Sequence, residues 1–360
     1  MGLSCGLVGL PNVGKSTLFN ALTKMQVEAQ NYPFCTIEPN IGLVTVPDLR
    51  LSALSALWKP LKEIPAVIEF VDIAGLVEGA SKGQGLGNKF LHHIREVDAI
   101  CHVVRCFDDV DITHVCGSVD PVRDAKIIEQ ELILSDLEMV EKFSEKKKKS
   151  LKSQGGADAQ KEIALWETLK TQLEEGLPAR TLVALPAECP DLLTQKPLMY
   201  IANRKEEDFS LPNHWVDKLK VYATANGSQI VMINAAFESD LSLMEPEHQQ
   251  EFLLEAGFTE PGLNRVVRQA YNLLNLETYF TAGEKEVRAW TITKNTAAPE
   301  AAGKIHSDFE KHFIRAEIIA YADYMKYQGE SGAKTAGKWR LEGKLYIVQD
   351  GDVITFRVGV

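Results

Sequence analysis

The chain has 360 residues, 45% of them hydrophobic and 25% charged, a size that predicts two or three domains with real cores, and its net charge of -11 argues against generic DNA binding by the whole surface. No apolar run approaches the roughly 20 residues of a membrane span, the N-terminus has no basic segment leading into a signal-type core, and Met1-Gly2 fails the myristoylation pattern at Gly6. The six cysteines form no C-x-x-C pair, so a reducing cytoplasm and no structural metal are expected.

Ser4-Cys5-Gly6-Leu7-Val8 reads as a short buried strand. It runs into Gly9-Leu10-Pro11-Asn12-Val13-Gly14-Lys15-Ser16-Thr17, which fits G-x-x-x-x-G-K-[ST]. Leu18, Leu22 and Met25 then recur at helical spacing. Strand, glycine loop and helix in that order make a phosphate-binding site. The backbone N–H groups of Asn12, Val13, Gly14, Lys15, Ser16 and Thr17 can surround a di- or triphosphate at the positive end of the helix. Lys15 would reach the β- and γ-phosphates, and the Ser16 hydroxyl would hold Mg²⁺.

Asn31 to Asn40, with two prolines, reads as a loop, and Thr36 within it is the candidate to close over Mg²⁺ and the γ-phosphate. Strands are predicted over 41–46 and 66–71. The second leads into Asp72-Ile73-Ala74-Gly75, a D-x-x-G whose acid would hold Mg²⁺ through water. Gly75 offers an N–H to the γ-phosphate with no side chain in the way. Many switch NTPases place a glutamine next, to orient the attacking water; here Leu76 stands there and cannot hydrogen-bond. Hydrolysis by the chain alone should therefore be slow. Four glycines between Glu78 and Gly87 predict a loop that changes shape with the γ-phosphate. Ala99 to Phe107 reads as a central strand, with His102 a core or edge histidine and not a catalyst. His114 lies beyond its carboxyl end, the edge where open α/β sheets bind ligands, and reads either as a water-positioning or switch residue or as an ordinary surface histidine.

From about 121 the strand pattern stops. Ile133, Leu137 and Val140, then Ile163, Trp166, Leu169 and Leu173, have helical spacing and predict two long antiparallel helices. Lys146 to Lys149 near their tip reads either as a solvated helix end or as an arm touching RNA phosphates. The sheet resumes at Pro197 to Ala202 and ends in Asn203-Arg204-Lys205-Glu206. Guanine-specific switch proteins carry Asn-Lys-x-Asp here, and the aspartate takes the guanine N1–H and 2-amino donors. With Arg204 and Glu206 in its place, the site should favour ATP, with Asn203 beside the base. A further strand, 229–233, leads to Asn234-Ala235-Ala236, where the Ala235 backbone is placed to contact the base.

A new unit opens at about 278. Strands are predicted over 287–293, 344–349 and 353–358, the last two as a hairpin around Asp350-Gly351-Asp352, with a helix over 307–321. This is a β-grasp pattern. Its charge is nearly neutral, so the acidic excess lies elsewhere.

Together, Gly9 to Thr17, Asn31 to Asn40, Asp72 to Gly87, Asn203 to Glu206 and Ala297 to His306 resemble the YchF/Obg-like ATPase family across essentially the whole chain. The resemblance implies an α/β P-loop NTPase domain of the Obg type (1–120 and 197–277), an inserted helical coiled-coil domain (121–196) and a TGS domain (278–360). It implies Mg²⁺-dependent hydrolysis of ATP by a monomeric cytoplasmic protein that binds the ribosome, through rRNA and ribosomal proteins. It also implies that a K⁺ ion near Asn12 adds positive charge and that His114 takes part in hydrolysis. Asn234 departs from the Ser or Cys common in relatives. Two rivals stay open: a GTPase of the same fold, and a ribosome-binding module for which nucleotide is only a structural ligand.

Overall fold

A computed structural model describes residues 3–24, 40–73, 85–205 and 212–359. They fall into two compact units, one within 1–24, 37–42 and 69–266, the other within 25–36, 43–68 and 267–360.

The chain begins with β1 (Ser4–Val8), α1 (Lys15–Lys24) and β2 (Ile41–Thr45). Next come α2 (Leu49–Trp58) and β3 (Lys62–Ile64), which join the second unit. The sheet of the first unit continues through β4 (Val67–Asp72), α3 (Gly85–Glu96) and β5 (Ala99–Arg105). Its strand order is β2-β4-β1-β5-β6-β7, where β6 is Leu198–Asn203 and β7 is Gln229–Ile233. Pairing is parallel from β4 to β7, with Cys5 opposite Phe70 and Ala99, and Ile100 opposite Leu198. Parallel strands are covered on both faces, which is why β1, β5 and β6 are buried at every residue and read as apolar runs. Parallel pairing also brings the carboxyl ends of β1, β4, β5 and β6 to one edge, and the motif loops leave from that edge.

The insertion is α4 (Pro121–Gln154) and α5 (Ala157–Glu174). Gly155 and Gly156, at φ 67° and 94°, turn the chain between them. Val140, Trp166, Leu169 and Leu173 are buried between the two helices, as their spacing predicts. The Asp136 carboxylate anchors the returning chain by accepting from the Leu193 and Thr194 N–H groups at 2.9 and 2.8 Å. Of the four lysines at 146–149, Lys147 meets Glu188 and Lys148 meets Glu167, while Lys146 and Lys149 are exposed. The first unit ends with α6 (His214–Ala225), α7 (Ala235–Leu241) and α8 (Pro246–Glu255), and α9 (Gly262–Leu273) crosses into the second.

The second unit carries β8 (Leu276–Ala282), β9 (Glu286–Thr293), α10 (Ala298–Ile305), α11 (Ser307–Lys311), β10 (Phe313–Ala320), α12 (Tyr321–Lys326), α13 (Glu330–Thr335), β11 (Arg340–Glu342) and β12 (Asp352–Val358). Its sheet order is β11-β10-β12-β8-β9-β3. Residues 43–68 are held here by β3–β9 pairing and by Arg50, whose guanidinium bridges Asp48 and Asp350.

Two expectations for this unit are corrected. The helix expected over 307–321 is a single turn or so of α11 followed by strand β10. β10 pairs antiparallel with β12 from Phe313↔Val358 to Ala320↔Asp352, and its Ile318 and Ile319 suit that buried position better than a helix. The strand expected over 344–349 is absent, apart from one bridge between Ala297 and Ile347. β12 therefore has β10 as its antiparallel neighbour instead of forming a hairpin. The Asp350 turn is held elsewhere, by Arg50 and by the Thr278 N–H at 3.0 Å.

Candidate nucleotide site

β1 ends at Val8, and the glycine loop follows. Gly9 has no room for a side chain, since a Cβ would lie 2.7 Å from the Val103 carbonyl oxygen. Asn12 sits at φ 63° and Gly14 at φ 92°. A Cβ on Gly14 would fall 2.2 Å from Asn203 Nδ2. The loop then closes into α1 with the Leu18 N–H on the Gly14 carbonyl at 3.0 Å. Val13 is buried under the loop, while Ser16 and Thr17 are exposed on the first turn of α1. There the helix presents free N–H groups and its positive end.

Lys15 Nζ is in direct contact with Asp72 Oδ1 at the end of β4, and both side chains are mostly shielded from solvent. An ammonium and a carboxylate in contact here, next to the phosphate loop, suit a metal–phosphate pair. The cation would meet phosphate oxygens and the anion would meet the metal or its water. The donor set thus fits Mg²⁺ and a polyphosphate.

Asn203 ties the site together from the far side. Its Nδ2 donates to the Val13 carbonyl and its Oδ1 accepts from the Ala235 N–H, each at 2.9 Å. The next N–H, of Arg204, donates to the Ile233 carbonyl at 2.8 Å. One buried amide thus joins the phosphate loop, β6 and the start of α7. The Ala235 N–H points to Asn203, and Asn234 caps α7 by accepting from the Ala236 and Phe237 N–H groups. Lys205, which the sequence did not single out, pairs with Asp109 at 3.1 Å. Thr36, Gly75, Leu76 and Glu206 lie outside the described residues.

His114 is buried at the same edge of the sheet. Its Nδ1 accepts from the Cys116 N–H at 3.1 Å, and its Nε2 lies 2.8 Å from Asp124 Oδ2. An acceptor at Nδ1 places the proton of the neutral ring on Nε2, which therefore donates to Asp124. Asp124, in the first turn of α4, also takes the Arg123 guanidinium on Oδ1 at 2.9 Å. His114, Cys116 and Asp124 offer ligand-type atoms within 4.8 Å of one another. Both ring nitrogens are already used in hydrogen bonds, however, so the cluster is a positioned histidine and not a metal set. Asp124 was legible only as an acid in a helix's first turn; its partnership with His114 needed the fold. His102, by contrast, is enclosed in β5 against Tyr200, and burial pushes it down to about 3.

A cleft of 580 Å³ in the second unit, lined in part by Asp48, Arg50, Arg268 and Lys294, contains none of these motif residues.

Parallel sheet, glycine loop and lysine–aspartate contact define a P-loop NTPase domain. Residues 4–151 match a family described as a 50S ribosome-binding GTPase. Residues 276–359 match the YchF-GTPase C-terminal family, described as a protein of unknown function. The ribosome-binding ATPase YchF of Haemophilus influenzae is 54% identical over 367 residues, and that of Bacillus subtilis 52% over 367, each alignment covering 100% of both chains. The structure of the Schizosaccharomyces pombe YchF GTPase, 40% identical, superposes with a TM-score of 0.87 over 99% of this chain and 98% of its own. This chain belongs to the YchF family.

Proposed function

We propose that the chain hydrolyses ATP to ADP and phosphate with Mg²⁺ and acts as a nucleotide-dependent switch that binds the ribosome from the cytoplasm. The observation that carries the reading is the convergence of Lys15, Asp72 and Asn203 on one phosphate loop. Lys15 and the amides from Asn12 to Thr17 stabilise charge on the transferred phosphoryl group. Ser16, Thr36 and Asp72 would hold Mg²⁺, which when bound neutralises charge on the β- and γ-phosphate oxygens. Gly75 senses the γ-phosphate. His114 stands in for the glutamine that Leu76 replaces: it would position the attacking water through a ring nitrogen released from Cys116 or Asp124 when nucleotide binds. Asn203 orders the base side of the pocket, and Arg204 with Glu206 turns preference from guanine to adenine. K⁺ beside Asn12 would add to the positive charge.

Ribosome binding is supported by the full-length relatives, which are named ribosome-binding ATPases. The exposed Lys146 and Lys149 on α4 are the basic groups we assign to it. No helix among the described residues is long and apolar enough to cross a membrane.

The relatives' names divide between ATPase and GTPase, so nucleotide choice is tested first. Equilibrium binding of fluorescent ATP and GTP analogues, with Mg²⁺ and unlabelled competitors, should show preference for ATP, and ribosomes should accelerate hydrolysis. Preference for GTP would overturn the base assignment. Hydrolysis that stays negligible with ribosomes present would leave nucleotide as a structural ligand.

A further inference from the structure

The His114 ring is fixed by its own hydrogen bonds, yet its backbone is delivered by a loop, 107–113, with no regular secondary structure. Besides the Lys205–Asp109 ion pair, two side chains hold the backbone carbonyls of that loop. Below it lies Arg105, the last residue of β5, 1% exposed. Its guanidinium donates to the Phe107 carbonyl from Nε at 3.0 Å and to the Ile112 carbonyl from Nη1 at 2.9 Å, with Nη2 3.5 Å from the Asp109 carbonyl. Burying a guanidinium is costly, and here it is met by carbonyl dipoles of one loop, which it therefore shapes.

The second hold comes from the phosphate loop. Asn12 Nδ2 donates to the carbonyl of Thr113, the residue before His114, at 3.1 Å. Asn12 is thus two-sided. Its backbone N–H belongs to the cradle that surrounds phosphates, and its side chain holds the backbone that carries the histidine. Asn is also a side chain that tolerates the left-handed φ this position requires.

We propose that Asn12 and Arg105 are positioning residues for His114. Arg105 sets the shape of the 107–113 loop, and Asn12 registers its last carbonyl against the phosphate cradle. The imidazole is thereby presented in step with a bound nucleotide. This rests on the reading that His114 takes part in hydrolysis.

The test is a double-mutant cycle in the full chain. Asn12→Gly keeps the backbone N–H and relieves the left-handed strain while removing the amide. It should lower single-turnover hydrolysis, measured at saturating ATP, about tenfold, within the range expected for a misplaced catalytic group. In a His114→Ala background the same substitution should have no further effect. Multiplicative losses, or a loss carried wholly by Kd, would overturn the proposal. So would an effect that is present in K⁺ and gone in Na⁺, since that belongs to a cation. Should His114→Ala alone leave hydrolysis unchanged, the histidine reading itself falls. Histidine-selective ¹H–¹⁵N NMR then decides the positioning claim independently. The His114 signal, assigned by its loss in His114→Ala, should shift in Asn12→Gly and in Arg105→Lys, and an unmoved signal rejects it.

Discussion

His114 Nε2 sits 2.8 Å from Asp124 Oδ2, while the Cys116 N–H closes the other ring nitrogen at 3.1 Å. The Cys116 N–H and the carboxylate together select the tautomer, and geometry matters more than charge for that task. Asp124→Asn can still accept from Nε2–H and should keep most of the hydrolysis rate. Asp124→Leu leaves a buried donor unmatched. It should cost about 1–3 kcal/mol of stability and about a hundredfold in rate, the lower end of acid–base contributions. Urea unfolding and single-turnover assays measure both, and equal losses in the two variants would refute the tautomer argument.

Gly14 gives a sharper prediction about binding. Its φ of 92° and the 2.2 Å approach of Asn203 Nδ2 leave no place for a methyl group. Gly14→Ala should cost about 1–2 kcal/mol in backbone strain and break the Asn203–Val13 hydrogen bond. Affinity for ATP should fall at least about tenfold. Gly155→Ala is the control, because nothing lies within 4 Å of that position. Its nucleotide affinity should match that of the parent chain.

The contrast between these sites shows what a sequence can reveal. Asn12, Gly14 and Lys15 were legible because they follow a buried strand at motif spacing, and Asp72 because it ends a strand of the same sheet. Asn203 stands out in the sequence only through its motif, and its bond to Val13, which spans 190 positions, is encoded by no local pattern. The same holds for Asp124 with His114, and for Arg105, which reads as one more residue in a strand. β10 was misread because Ser307 to Tyr321 carries apolar residues at helical spacing, and pairing with β12 overrode it. Local period and tertiary partner disagreed there, and the partner decided.

His102 predicts a pH dependence of stability. Burial lowers it from 6.5 to about 3, with the Arg180 charge adding to the effect. Between those values the unfolded chain binds a proton that the folded chain refuses. Stability from this group is therefore complete above about pH 6.5. It is lost as pH falls, by about 1.4 kcal/mol per unit, until about pH 3. His102→Phe retains a ring against Tyr200, 5.4 Å away centroid to centroid, and removes the titration. Between pH 7 and 5 the parent chain should lose about 2 kcal/mol more than the variant, measured by urea midpoints in the two buffers. Parallel pH profiles would show that His102 accepts a proton while folded.

Base preference is the last property to be argued from the residues themselves. Asn203 is spent on scaffolding, one side on Val13 and the other on Ala235, so it cannot by itself choose between adenine and guanine. We propose that the choice falls to the two positions that depart from the guanine pattern, Arg204 and Glu206. Guanine offers N1–H and 2-amino donors to an acid at the correct depth, and adenine offers neither. Glutamate is one carbon longer than the aspartate of that pattern, which is the chemical ground of the proposal. Arg204→Lys with Glu206→Asp restores both features and should shift the ratio of GTP to ATP affinity towards GTP by at least about tenfold, since buried polar pairing discriminates strongly. Either change alone should do less, because the lysine stem covers the base while the aspartate reads it. Competition binding with unlabelled nucleotides gives the ratio directly, and an unchanged ratio in the double variant would place base recognition elsewhere in the pocket.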